Sequence, residues 1–193
     1  LCNFYRGSSF SSNKSAENAL DKILKVTGLD KRFVIYPCNA IDNCLATTYN
    51  GVKYILYDKY FMEDIANNTS SWSKISILAH EVGHHINNHT LDLVSVLKGG
   101  ESPPTLKESR DMELEADEFS GFVMYKLGAT LQEAQQAINK YADEGDDTYS
   151  THPDKFKRLN AIKKGYSIAK EKNIKEVINN DKDENFLLAE KYF

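Results

Sequence analysis

Two histidines and a glutamate stand together in His80-Glu81-Val82-Gly83-His84. On an α-helix, positions i and i+4 share a face, so both imidazoles can reach one tetrahedral Zn²⁺. Glu81 follows the first histidine and falls on the flank of that face, where a carboxylate can act as general base toward water on the metal. The chemistry open to this set is metal-assisted hydrolysis. It requires a helix beneath the motif and a third ligand from elsewhere.

The third ligand is sought in Glu113-Leu114-Glu115-Ala116-Asp117. A carboxylate at Glu113 can complete a His₂Glu set with the fourth position left to water. Asp117 lies one turn later on the same stripe, placed to accept an N–H from a ligand histidine and fix its tautomer. Glu108, Glu115 and Glu118 read as the wet side of an amphipathic helix.

With these residues, the chain resembles the gluzincin metallopeptidases of the HtpX and CAAX prenyl endopeptidase type. Four motifs carry the resemblance, in the family's order along the chain. Asp42-Asn43-Cys44-Leu45-Ala46 is similar to the family's Asn-Ala-x-Ala signature, with Cys44 in place of the first alanine. His80–His84 and the E-x-x-A-D run from Glu113 follow. Ser150-Thr151-His152-Pro153, with Arg158 beyond it, resembles the downstream His-Pro…Arg motif. The resemblance covers about residues 16–166. It implies an α+β, zincin-like (gluzincin) domain, mostly helical, whose small sheet edges an active-site cleft. It also implies a zinc endopeptidase with one Zn²⁺ per chain, acting on a peptide or protein substrate. His80, His84 and Glu113 would hold the metal, Glu81 would be the base, and Asp117 would orient His80. His152, backed by Arg158, would stabilise the tetrahedral intermediate, and Asn43 to Ala46 would form the substrate edge strand. The chain lacks the family's usual transmembrane helices, which weighs against membrane-embedded, prenylated substrates.

The elements that must position these residues are legible from periodicity. Ile75, Leu78, Ala79, Val82 and Ile86 recur at helical spacing between Trp72 and about Asn88, on a face opposite the two histidines. Thr105-Leu106-Lys107-Glu108 is a capping box that opens a second helix, with Met112, Ala116, Phe119, Val123 and Leu127 as its buried stripe. Lys98 to Thr105 is the loop between them. Upstream, Ala16 to Val26 reads as an amphipathic helix stopped at Gly28, and Phe33 to Tyr36 as a strand ended by Pro37. Leu45 to Tyr49 and Val52 to Tyr57 flank Asn50-Gly51, a strong hairpin signal. Three strands therefore precede the metal helix, and one edge is expected to line the cleft and accept an extended substrate. Thr130 to Glu133 caps a further helix to about Ala142, and Asp143 to Asp147 reads as solvated charge without calcium-loop spacing. A last helix starts near Pro153 and carries Phe156, Leu159, Ile162 and Ile168. Beyond it, the charged tail from Lys170 either docks through Phe186, Leu187, Leu188 and Phe193 or stays mobile. His85 and His89 lie off the ligand face and are expected to be structural, Trp72 to pack, and Tyr149 to be buried.

The length fits one domain over 1–193, with a core at 16–166 and a charged tail at 170–193. A net charge of −4 with dispersed lysines and arginines argues against nucleic acid. No apolar run approaches the ~20 residues of a membrane-spanning helix. The three cysteines, Cys2, Cys38 and Cys44, have no C-x-x-C spacing, which argues against a structural zinc site. Cys38 and Cys44 can pair across a short loop in an oxidising compartment, or all three can stay reduced. A chain beginning at Leu1 reads as a processed form or a fragment; export, a periplasmic location and an upstream anchor stay open. Two other readings stand beside the peptidase. One is a zincin-like binding or chaperone module with marginal turnover, against which the intact Glu81 argues. The other is the catalytic part of a larger regulated protease or effector.

Overall fold

The computed structural model describes residues 14–192, with side chains as far as residue 175. Cys2 and the side chains of Phe186, Leu187, Leu188 and Phe193, invoked for the tail, lie outside the described residues. Among those that are described, no helix is long and apolar enough to cross a membrane.

Helix α1 (Lys14–Thr27) turns Leu20, Ile23 and Leu24 inward and stops at Gly28, whose φ of +68° suits a residue without a β-carbon. Three strands follow: β1 (Phe33–Pro37), β2 (Cys44–Tyr49) and β3 (Val52–Tyr57). The hairpin at Asn50-Gly51 forms as its residues dictate, with φ of +49° and +76°, and both N–H groups donate to the Asp92 carboxylate. The sheet order is β1-β3-β2, with β1 parallel and β2 antiparallel to the central β3. β2 is therefore an outer strand, and the Ala46 N–H on its free side meets the helix that carries Glu81. The architecture is α+β, mostly helical, as expected.

Two helices were not read from the sequence. α2 (Lys59–Asn68) begins directly after β3, where the Asp58 carboxylate accepts the N–H groups of Tyr60 and Phe61 and Met62 and Ile65 are buried. The signal was present as an Asp cap before an i, i+3 apolar pair. α4 (Leu93–Leu97) is a single turn capped by Asp92, with no buried residue. At the other end, α7 (Lys155–Tyr192) runs unbroken through what had been separated as a charged tail. Of the apolar residues on its first turns, Phe156 is exposed and Ile162 is buried.

The helix of the two spaced histidines, α3 (Ser71–Ile86), buries Leu78, Ala79 and Val82 as its period predicts, with Ile75 and Ile86 packed against the same cluster. α5 (Leu106–Lys126) starts at the Thr105 capping box, and α6 (Leu131–Tyr141) at the one on Thr130. α5 does not have one buried stripe but two. Ala116 and Val123 are buried, and so are Asp117, Ser120 and Met124, because α3 packs on one flank and α7 on the other.

Glycines set how closely these helices approach. A β-carbon on Gly83 would lie 3.0 Å from Ala116 Cα. One on Gly121 would overlap the Ile162 carbonyl, and one on Gly165 the Glu118 carbonyl. The glycine inside the His-Glu-x-x-His turn thus sits on the alanine of the acidic motif, which draws the two motifs together. Arg158, two turns before Gly165 on α7, is carried to the same place.

Candidate metal centre and active site

The i, i+4 spacing on α3 directs His80 and His84 to one side, with their Nε2 atoms 3.0 Å apart. Glu113 reaches this point from α5: its Oε2 lies 3.3 Å from His80 Nε2 and its Oε1 3.2 Å from His84 Nε2. One ligand atom from each of the three residues falls within 4.8 Å of the other two.

The chemistry of these atoms suits a cation. His80 Nδ1 is 2.9 Å from Asp117 Oδ1, and a carboxylate only accepts, so Nδ1 keeps a proton and Nε2 is the nitrogen that can give up its own proton and turn a lone pair to the centre. Glu113 adds carboxylate lone pairs. Burial raises the Glu113 pKa, but His80, His84 and Arg158 outweigh it and hold the group far below the ordinary carboxylate range. Burial likewise opposes a charged His80, yet Asp117 and Glu113 prevail and hold its pKa at about 10. A proton and a metal ion compete for the same Nε2, so metal uptake releases a proton. Two imidazole nitrogens and a carboxylate are the His₂Glu donor set that zinc takes in catalytic sites, and the residues fit that ion.

Asp117 is held in turn. Its side chain is only 2% exposed, and Arg158 donates to it twice, from Nε to Oδ2 at 2.7 Å and from Nη2 to Oδ1 at 2.9 Å. Burial pushes the Asp117 pKa up, but His80 and Arg158 bring it below its ordinary value. Arg158 Nη2 also lies 3.4 Å from Glu113 Oε2. The arginine expected behind His152 is thus bonded to Asp117 and lies against Glu113.

Glu81 is buried beside the centre, and its Oε2 accepts the Ala46 N–H at 2.6 Å. That bond ties the carboxylate to the outer edge of β2. Burial is the main cause that raises the Glu81 pKa to about 7, against the opposing charge of His80. Asn43, Cys44, Leu45 and Ala46 line the same cavity of about 540 Å³ as His80, Glu81, His84 and Glu113. Asn43 Oδ1 accepts the Cys44 N–H at 2.8 Å. The Cys44 thiol faces the core and is free, its pKa raised by burial and then by Glu81. Cys38 is disulfide-bonded, so the pairing of Cys38 with Cys44 is not formed.

His152 stands on the lip of the cavity with its side chain 64% exposed and Nε2 4.0 Å from Glu113 Oε2. Its loop is anchored by a residue the sequence did not single out. Arg110 Nη1, from α5, donates to the carbonyls of Asp147, Thr148 and Ser150. Asp147 accepts the Asp154 N–H and two bonds from Lys157 Nζ. It is therefore a structural staple rather than solvated charge. Tyr149, expected to be buried, is 89% exposed, and the bonds that hold its loop to Arg110 come from the carbonyls of its neighbours Asp147, Thr148 and Ser150.

His85 is structural as expected: it is fully buried, stacks on Phe33 and has Nε2 2.8 Å from the Tyr54 carbonyl. His89 is not merely that. Its Nδ1 lies 3.2 Å from His84 Nδ1 and its Nε2 3.1 Å from Glu115 Oε2.

No curated protein matches the chain. The sequence model of peptidase family M48 matches residues 90–165, which hold Glu113, Asp117, His152 and Arg158 but not the His80–His84 turn. The two histidines that the match leaves out meet its glutamate in space, and the resemblance drawn from the motifs is accordingly one to an M48 zinc metallopeptidase.

Proposed function

We propose that the protein is a zinc endopeptidase in which His80, His84 and Glu113 hold the metal and Glu81 is the general base. The observation that carries this reading is the convergence of three electron-pair donors beside a buried carboxylate that is bonded to a sheet edge. When bound, zinc supplies a Lewis acid that polarises a carbonyl and acidifies water. Glu81, with a pKa of about 7, is matched to taking a proton from the attacking water near neutral pH and passing it to the leaving amine. The Ala46 N–H fixes its side chain, so the base and the edge strand are in register with each other. An extended peptide laid along Asn43 to Ala46 then presents its backbone at a defined distance from the base. His152, hydrogen-bonded through Nδ1 to Thr151 Oγ1 at 3.1 Å, is free to turn its Nε2–H toward a developing oxyanion.

A peptide digest read by mass spectrometry, with and without a chelator and with zinc added back, tests the reading together with Glu81→Gln. Cleavage is expected to stop on chelation and return with zinc. The glutamine variant should keep its metal and lose turnover by orders of magnitude, because an amide cannot accept the proton. Undiminished cleavage by that variant would refute the assignment of the base.

A further inference from the structure

We infer that His89 and Glu115 form a relay that fixes the tautomer and orientation of His84, as Asp117 does for His80. The inference rests on His84 being a metal ligand. Its construction starts in the backbone. α3 ends at Ile86, and Asn88 takes φ +57°, a left-handed conformation that asparagine tolerates better than most residues. The His89 N–H then donates to the His84 carbonyl at 2.9 Å and the Asn88 N–H to the His85 carbonyl at 3.4 Å. These are the two closing bonds of a Schellman motif. In that motif the residue after the left-handed one folds back over the residue His84 occupies, usually with an apolar contact. Here two imidazoles meet instead, 5.3 Å apart between centroids. The turn is pinned from the sheet: Lys53 Nζ donates to the His85 carbonyl at 2.7 Å, and Thr90 Oγ1 lies 2.9 Å from Thr48 Oγ1.

The proton positions follow from one another. Glu115 Oε2 only accepts, so His89 Nε2 carries hydrogen and His89 Nδ1 holds a lone pair. That lone pair faces His84 Nδ1 at 3.2 Å, which must therefore be the protonated nitrogen. His84 Nε2, 3.2 Å from Glu113 Oε1, is then the nitrogen whose lone pair a metal takes. The reverse tautomer of His84 would set two lone pairs against each other and put a hydrogen into the metal centre. His89 is a positioning residue: its side chain is 7% exposed, while Glu115, at 62%, supports it from the surface.

Zinc affinity, measured by competition with a chromophoric chelator, tests the relay, with the visible spectrum of the cobalt-substituted protein as a second readout. His89→Phe keeps a ring but accepts no hydrogen bond. It should bind zinc roughly 10–100-fold more weakly, the usual effect of losing an outer-shell partner, and show altered cobalt bands. His89→Gln, whose carbonyl oxygen accepts, should recover most of the affinity. Glu115→Ala, at an exposed position, should show a smaller loss. Native affinity in His89→Phe, alongside a His84→Ala variant that no longer binds, would overturn the relay and leave the metal site standing. Native affinity in His84→Ala as well would remove the metal site itself. If the His89 variants do not fold, unchanged affinity in Glu115→Ala overturns the relay.

Discussion

Asp117 joins two halves of the site, since it accepts from His80 on one side and from Arg158 on the other. Replacing it by asparagine keeps its shape and removes the charge that Arg158, itself nearly buried, depends on. Removing one partner of a buried ion pair costs about 3–5 kcal/mol. Glu113, 3.4 Å from Arg158, remains as a partial substitute, so the expected loss for Asp117→Asn is near ~3 kcal/mol, read by urea unfolding of the metal-free protein. Its zinc affinity should fall about 10–100-fold. Glu113→Gln, which alters a ligand, should weaken zinc further yet unfold nearer the native midpoint. Equal zinc loss in the two variants would mean that Glu113 is not the third ligand. His152 belongs to a different class, because it is exposed and outside the ligand set. His152→Ala is expected to lower kcat by roughly 10²–10³-fold, as for a lost oxyanion donor, with zinc content unchanged and KM little moved. Loss of zinc in that variant would make His152 a ligand instead.

Among the elements, the crossing of α5 with α3 and α7 fixes the distances on which the site depends. Gly165→Ala would drive a methyl group into the Glu118 carbonyl, and that backbone oxygen cannot rotate away. Overpacking of this kind typically costs about 1–3 kcal/mol, occasionally more. The shift should also draw Arg158 off Asp117 and weaken zinc. Gly83→Ala meets Ala116 and Phe119 at 3.0–3.3 Å, so a displacement of a few tenths of an ångström relieves it and the expected loss is smaller. Thermal unfolding with zinc titration compares the two. A Gly83→Ala protein less stable than Gly165→Ala would contradict this ranking of the contacts.

For the whole molecule, buried histidine links stability to acidity. Burial is the chief cause that lowers the His85 pKa from 6.5 to about 4. Between these values the unfolded chain binds a proton that the folded chain refuses, so stability is lost as pH falls through that window. The slope reaches at most about 1.4 kcal/mol per pH unit, and this group contributes no slope above the window. His80 has the opposite sign. Its pKa is raised from 6.5 to about 10, so its contribution is complete below 6.5 and is lost as pH rises toward 10. Glu81, raised from 4.5 to about 7, opposes His85 over the same range, so the His85 share is read by difference: between pH 7 and pH 5 the urea midpoint of metal-free His85→Gln should gain on that of the native protein. An identical slope in the variant would show that another group is responsible.

At this scale, what the sequence settled and what tertiary structure settled separate by range. Residues within one turn or one hairpin of each other determine their own geometry. The i, i+4 histidines, the capping boxes at Thr105 and Thr130 and the Asn50-Gly51 hairpin formed as read, because each rests on bonds between near neighbours. The acidic stripe on α5 already distinguished Glu113 and Asp117 from Glu115 by helical angle. Other assignments needed partners far apart in the chain. Arg158 joined Asp117 and Glu113 across 41 residues for Asp117, and Glu81 found the Ala46 N–H across 35. On an ideal helix His89 falls away from His84, whereas the left-handed Asn88 turns the chain back toward it. Periodicity assigns a side chain to a face; only the packing of α3, α5, α7 and the sheet edge decides which faces meet, and an unpaired buried charge costs too much for that meeting to be left open.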